Sequence, residues 1–290
     1  MTPGAGYNPR TVNGAPSEPA SRRRFGEVVA APAIDLAEAA LLIACEEYPD
    51  LDMGAQRGRL EELGRQARAA LDPRAPRRSQ ALQLARFLGE ELGFRGNAEN
   101  YYDPRNSFFN DVLSRRLGIP ISLSVVYIEV GRRAGLPVGG VALPGHFIVR
   151  VDDQDELLLD PFYGGRPLSL TDCQRRLDRI FDRQVALEPG MLMPCDERQI
   201  LTRMLYNLKG IYVQAQDHWR ALGVVELLLL LEPGDAEELR DRGLLYAALD
   251  CYGLAVLDLE AYLSRAGRAP EATGLRETLE NLRARQARVN

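Results

Sequence analysis

The sequence has few of the residues that most often build metal and redox centres. Its 290 residues include two histidines and four cysteines, Cys45, Cys173, Cys195 and Cys251. The cysteines are widely spaced and form no C-x-x-C motif, which argues against a zinc ribbon or a thioredoxin-type centre. The histidines lie in different halves of the chain and offer no ligand cluster. We therefore predict no metal site and no cofactor, and we expect reduced thiols in the cytoplasm.

Lysine and long apolar runs are also scarce. Lys209 is the single lysine among 36 basic residues, and the formal net charge is −5, so electrostatic binding to nucleic acid is not expected. The apolar run Val224–Leu231 is interrupted by Glu226 and is too short to cross a bilayer. The first residues lack the apolar stretch of a signal peptide. We expect neither a membrane span nor a secretory signal.

The sequence does contain enough apolar residues for a packed core. They make up 46% of the chain against 27% charged residues, proportions typical of a globular protein. Residues 1–25 are rich in Gly, Pro and Ser and are predicted to be a disordered tail. Residues 26–195 are predicted to form a helical region followed by an α+β core, and residues 196–290 an all-α region.

Helical periodicity dominates the part before the core. A first helix has Asp35 near its start and ends before Pro49. Further helices are predicted over about 56–71 and 79–92, the latter with Ser79 as its N-cap. The α+β core is therefore expected to be preceded by helices.

A buried helix is predicted at residues 121–134, which are almost wholly apolar. Pro120 and Ser122 lie at its N-terminus, where unpaired backbone N–H groups favour an anion or an activated nucleophile. After this helix the apolar period changes to that of short strands. The strands are predicted at 138–143, 146–151 and 156–160. We expect them to form a small antiparallel sheet packed on the helix.

The candidate chemistry lies at the ends of these elements. Ser122 could serve as nucleophile, His146 as base, and Asp160 as the carboxylate that fixes the imidazole tautomer. The alternatives are a helix cap for Ser122, a buried hydrogen-bonded imidazole for His146, and an Asx-turn carboxylate for Asp160. Asn106 and Asn110 are candidate cleft-lining residues or helix caps.

A further helix is predicted after the sheet, ending at about Phe181. Thr171 or Asp172 is expected to cap it. Cys173 then lies in its first turn, where a helix dipole can lower the pKa of a thiol, although an incidental thiol is the simpler interpretation.

Four segments together resemble a known family. They are Asn106–Asn110, Gly118–Leu123, Leu143–Phe147 and Asp160–Phe162. They look like the bacterial SirB-type family, a branch of the transglutaminase-like superfamily with C-terminal tetratricopeptide repeats. The resemblance covers about 26–265 and implies a papain-like α+β core. Active members of the superfamily carry Cys at the N-terminus of the central helix, where this chain has Pro120, Ile121 and Ser122.

The C-terminal region contains a repeat. Tyr212, Ala221 and Leu228 recur 34 residues later as Tyr246, Ala255 and Tyr262. A period of this length is typical of tetratricopeptide repeats, whose concave face binds other proteins. A final helix at about 271–288 is expected to cap the array.

Two functional hypotheses result. In the first, the chain is a pseudoenzyme that binds an unknown protein or peptide partner through residues 196–290. In the second, it is a hydrolase or acyltransferase that uses Ser122, His146 and Asp160, or a distant thiol such as Cys173 or Cys195. The first is favoured because a serine hydroxyl is a much weaker nucleophile than a thiolate.

Overall fold

A computed structural model of the chain describes residues 19–151, 156–266 and 271–289. Residues 1–18 of the predicted tail lie outside this part, as do residues 152–155 of the turn predicted between two strands. Residues 20–25 of the predicted tail are helical instead of disordered. They belong to helix α1 (Ala20–Ala30), which forms because Phe25, Val28 and Val29 bury their side chains.

The chain divides into two compact units. The core unit is Pro32–Met204, and the helical unit combines α1 with the residues from Leu205 onward. Within the helical unit, Arg22 of α1 is hydrogen-bonded to Glu226. The boundary at 204/205 falls inside a helix, whereas the sequence places the start of the all-α region at 196.

The core unit contains the elements that position the candidate site. Its helices are α2 (Leu36–Ala44), α3 (Met53–Ala70), α4 (Arg77–Arg86), α5 (Phe109–Arg115), α6 (Pro120–Ala134) and α7 (Leu170–Ile180). Its strands are β1 (Arg95–Gly96), β2 (Leu117–Gly118), β3 (Val138–Val141), β4 (Ile148–Val151), β5 (Leu157–Asp160), β6 (Arg166–Leu168) and β7 (Pro194–Cys195). A π-helical turn, Phe87–Glu91, continues α4.

Helix α6 is the buried helix that the sequence predicts. Every residue from Pro120 to Gly131 is buried. The helix starts at Pro120, whose missing N–H has no intrahelical partner at the first position in any case. It ends before Gly135, which adopts the left-handed conformation (φ 92°) that glycine permits at a helix C-terminus.

The larger sheet has the strand order β6-β5-β4-β3-β7, and all its neighbours are antiparallel. The strands β3 and β4 pack against α6, so the predicted α+β core with a central helix on a small antiparallel sheet is confirmed. The edge strands β6 and β7 were not predicted, because each is only two or three residues long and contains a proline.

The remaining helices continue to the C-terminus. They are α8 (Glu197–Gln214), α9 (His218–Leu231), α10 (Ala236–Ala248), α11 (Tyr252–Ala266) and α12 (Glu271–Val289). All six residues that define the 34-residue repeat are buried. Among the described residues, no helix combines the length and apolar composition that a membrane span requires.

Candidate functional site

The His146–Asp160 pair lies at the centre of the candidate site. His146 follows Gly145 (φ 70°), and its backbone N–H donates to the carbonyl oxygen of Leu143 at 2.8 Å, which fixes the turn before β4. Asp160 is the last residue of the neighbouring strand β5. The His146 Nε2 atom lies 2.9 Å from Oδ2 and 3.0 Å from Oδ1 of Asp160. Both side chains are buried.

The Asp160 carboxyl group has two further hydrogen-bond donors. Arg176 of α7 donates from Nη2 to Oδ2 at 2.9 Å, and the backbone N–H of Phe162 donates to Oδ1 at 3.1 Å. A fully buried carboxyl group needs such partners because burial removes its hydration. The arrangement therefore fixes Asp160 from three directions and leaves it able to orient the imidazole.

The imidazole of His146 keeps one nitrogen available. Nε2 is used by Asp160, and Nδ1 forms no hydrogen bond to any residue in the part of the chain that the structure describes. A histidine oriented by a carboxyl group on one nitrogen can exchange a proton at the other. The pair is therefore suited to acid–base work or to hydrogen bonding of a ligand.

Ser122 forms no hydrogen bond to this pair. Its hydroxyl donates to the backbone carbonyl of Asn106 at 2.5 Å and accepts from the backbone N–H of Ile119 at 3.1 Å. Its side chain is fully buried. The hydroxyl thus satisfies backbone groups at the start of α6, as a helix-capping serine does.

Asn106 and Asn110 also lie in the interior. The Asn106 amide group donates to the carbonyls of Asn100 at 2.7 Å and Tyr101 at 3.1 Å, so it holds the loop before α5. The Oδ1 atom of Asn110 is buried and has no hydrogen-bond partner among the described residues. Neither residue lines the cavity that opens beside Asp160.

The cysteines do not supply a nucleophile next to His146. Cys173 is fully buried in an apolar cluster with Val141, Ile148 and Leu158. Burial raises the pKa of the Cys173 thiol, which is the opposite of the lowering that a helix dipole can produce. Burial also raises the pKa of the Cys195 thiol. Neither sulfur is hydrogen-bonded to His146 within the described ranges.

Tyr127 of α6 is a buried polar residue that the sequence analysis missed. Its hydroxyl is fully buried without a hydrogen-bond partner among the described residues. Burial, and secondarily the charge of Asp160, raises the pKa of the Tyr127 hydroxyl. Gly165 allows this packing, since a Cβ atom at that position would lie 2.7 Å from the Tyr127 hydroxyl oxygen.

A cavity of about 550 Å³ opens beside Asp160. The turn residue Gly145, strand β6 and helix α7 line it, together with the exposed ring of Tyr163. Phe162 lies between the rings of Tyr163 and His146, with centroid distances of 5.2 and 6.2 Å. An aromatic surface thus adjoins the histidine.

The basic residues around this cavity were not among the site residues predicted from the sequence. They are Arg166, Arg175, Arg176 and Arg179. The signal was present as a concentration of arginines between residues 166 and 179. Its meaning depends on which face of α7 packs against the sheet, and a single arginine-rich helix does not specify this.

Comparisons with known proteins match both parts of the chain. A family model described as the transglutaminase-like superfamily matches residues 55–206, and one described as tetratricopeptide repeat matches residues 208–280. A UPF0162 protein of Xylella fastidiosa strain Temecula1 is 41% identical, covering 79% of this chain and 83% of its own length. A UPF0162 protein of Pseudomonas aeruginosa is 35% identical, covering 85% of this chain and 90% of its own length. No solved structure matches the chain.

Proposed function

Since the chain belongs to the UPF0162 family and carries a transglutaminase-like region followed by tetratricopeptide repeats, we propose that it is a non-catalytic protein that binds a protein or peptide partner through residues 196–290. The observation that carries the proposal is the bonding of Ser122. A buried hydroxyl that donates to Asn106 and accepts from Ile119 supports a capping role rather than that of an activated nucleophile.

The repeats present an apolar strip for such a partner. Tyr206 and Val213 lie seven residues apart on α8, on one helix face, and both are exposed. Leu244 of α10 is exposed and lies 34 residues after Gly210, which is on the same face of α8. The repeat period therefore puts Leu244 at the equivalent position of the second repeat. Exposed apolar side chains on adjacent repeats are typical of a binding surface.

An ion-pair network keeps the first helices of the two repeats in register. The Lys209 Nζ atom lies 2.7 Å from Oε1 of Glu238 and 2.6 Å from Oδ2 of Asp241. The Lys209 ammonium also lies 5.6 Å from the centre of the Tyr206 ring. Glu238 and the stem of Lys209 are largely buried, so the strip rests on a fixed support.

The partner surface is tested by affinity capture with the purified full-length chain. We expect a stoichiometric partner that is retained by the wild type and lost by the double variant Tyr206→Ser with Leu244→Ser. The control is Leu257→Ser, which removes a leucine that is 63% exposed on α11 but lies outside the strip. No stoichiometric partner, or equal retention by all three proteins, would contradict the proposal.

The alternative is a hydrolase or acyltransferase with Ser122, His146 and Asp160. It is favoured by one observation, the oriented imidazole with a free Nδ1. A serine-directed fluorophosphonate probe separates the two functions. We expect no labelling, and labelling of the wild type that disappears in Ser122→Ala would establish the enzymatic alternative instead.

We also propose that the chain represents the SirB-type branch of the superfamily, which is supported by the segments Gly118–Leu123 and Leu143–Phe147. Its cytoplasmic location stays a prediction from the cysteine pattern. Neither point affects the partner experiment.

A further inference from the structure

The cavity beside Asp160 has more positive than negative groups. Four arginine guanidinium groups and the carboxyl groups of Asp160 and Asp172 line it, an excess of two positive charges. Arg176 is paired with Asp160 at 2.9 Å, and Arg175 with Asp172 at 3.2 Å. The excess is local, because the whole chain has a formal net charge of −5.

The other two arginines supply this excess. Arg166 and Arg179 form no ion pair or hydrogen bond with any residue in the described ranges, and both are exposed. Arg166 contributes only a longer-range attraction to Asp172. Unpaired guanidinium groups that face one cavity repel each other, and an anion between them removes that repulsion.

The fold holds these groups on fixed elements. Arg166 begins β6, which pairs with β5 through Asp160. Arg179 lies near the end of α7, where the side chain of Ile180 packs against Gly145, one residue before His146. The apolar face of α7, formed by Cys173 and Leu177, packs on the sheet. The two arginines are thus held on a strand and a helix rather than on a loop.

We propose that this cavity binds a small molecule carrying a phosphate monoester, and that Arg166 and Arg179 are the main residues that contact the phosphate. A phosphate monoester at neutral pH carries nearly two negative charges, about −1.5 to −2, and so matches the excess, whereas one carboxylate neutralises half of it. Guanidinium groups donate pairs of N–H bonds to phosphate oxygens. A volume of about 550 Å³ exceeds what a phosphate group alone fills and leaves room for an organic part beside Tyr163.

The proposed site shares no residue with the partner surface of the repeats. It lies wholly in the core unit, and its ligand is a small molecule rather than a protein. A failure of one proposal therefore leaves the other standing. Arg176 also connects the site to the histidine, because the same guanidinium group that borders the cavity holds Asp160.

Isothermal titration of the full-length chain with glycerol 3-phosphate, inorganic phosphate and glutarate tests the proposal. We expect glycerol 3-phosphate to bind more tightly than glutarate. The double variant Arg166→Gln with Arg179→Gln should weaken its binding by about tenfold or more, because it removes charge-assisted hydrogen bonds. The variant Arg166→Lys with Arg179→Lys should bind with intermediate affinity, since it keeps the charge and loses the paired N–H geometry.

The matched control is Arg74→Gln with Arg77→Gln. It removes the same charge from two exposed arginines of the core unit that do not line the cavity, so we expect wild-type affinity. Absence of glycerol 3-phosphate binding, equal affinity for glutarate, or equal weakening in the control would each overturn the proposal.

Co-sedimentation with phosphatidic acid vesicles tests whether the phosphate monoester belongs to a membrane lipid instead of a small molecule. Vesicle binding that needs Arg166 and Arg179, without binding of glycerol 3-phosphate, would overturn the small-molecule assignment.

Discussion

At the residue scale, Ser122 is hydrogen-bonded to backbone groups, whereas His146 and Asp160 are hydrogen-bonded to each other. The sequence leaves two interpretations of Ser122 open, because a serine at a helix N-terminus fits both a cap and a nucleophile. The hydroxyl donates to the carbonyl of Asn106, which is sixteen residues away in sequence, and this bond favours the cap. His146 and Asp160 could be selected from the sequence because they lie at the start and at the end of predicted strands. Arg176 could not, because its contact with Asp160 depends on the packing of α7.

The first prediction concerns the buried carboxyl group. Asp160→Ala should lower the free energy of unfolding by about 3 kcal/mol, because it leaves Arg176 and His146 without their shared partner in a largely buried site. Urea unfolding followed by far-UV circular dichroism measures the change. Glu156→Ala is the control, since it removes a carboxyl group that is 54% exposed and leaves Arg150 its hydrogen bond to the Leu192 carbonyl, so it should cost less than about 1 kcal/mol. Equal losses in the two variants would show that Asp160 has no special structural role.

At the element scale, the sequence predicts periodicity better than it predicts helix ends. The buried run that becomes α6 and the change to short strands were both readable, because burial on all sides and alternation leave distinct patterns. The caps were not. Ser79 caps no helix, since α4 begins at Arg77 after Pro76. The cap of α7 is Ser169, and Asp172 completes a capping box by accepting from the Ser169 backbone N–H at 2.9 Å.

The second prediction follows from these caps. Ser169→Ala should destabilise the chain by about 1 kcal/mol, because it removes the acceptor of the Asp172 backbone N–H at the start of α7. Ser79→Ala is the matched control and should leave the stability unchanged or slightly higher, since alanine is the better helix former. Thermal or urea unfolding of both variants gives the comparison. A larger loss for Ser79→Ala than for Ser169→Ala would contradict the assigned caps.

At the scale of the whole molecule, buried ionisable groups link stability to pH. Burial raises the pKa of a set of thiols and tyrosine hydroxyls in the core unit. The set is Cys45, Cys173, Cys195, Tyr48, Tyr101 and Tyr127. A group whose pKa is raised by folding stabilises the folded state fully below its unfolded pKa. That stabilisation is lost as the pH rises from the unfolded value through the folded value.

The third prediction is therefore a loss of stability at alkaline pH. The free energy of unfolding should fall as the pH rises above about 8.5, where unfolded cysteine ionises, and more steeply above about 10, where unfolded tyrosine does. Tyr127→Phe should reduce the upper part of this fall by about 1.4 kcal/mol per pH unit, because it removes a buried hydroxyl with no hydrogen-bond partner among the described residues. Tyr102→Phe, at a residue that is 67% exposed, is the control and should keep the wild-type slope.

Urea unfolding between about pH 8 and 11 measures these slopes. If Tyr127→Phe followed the wild-type curve throughout, the alkaline loss would have to come from the remaining thiols and tyrosines.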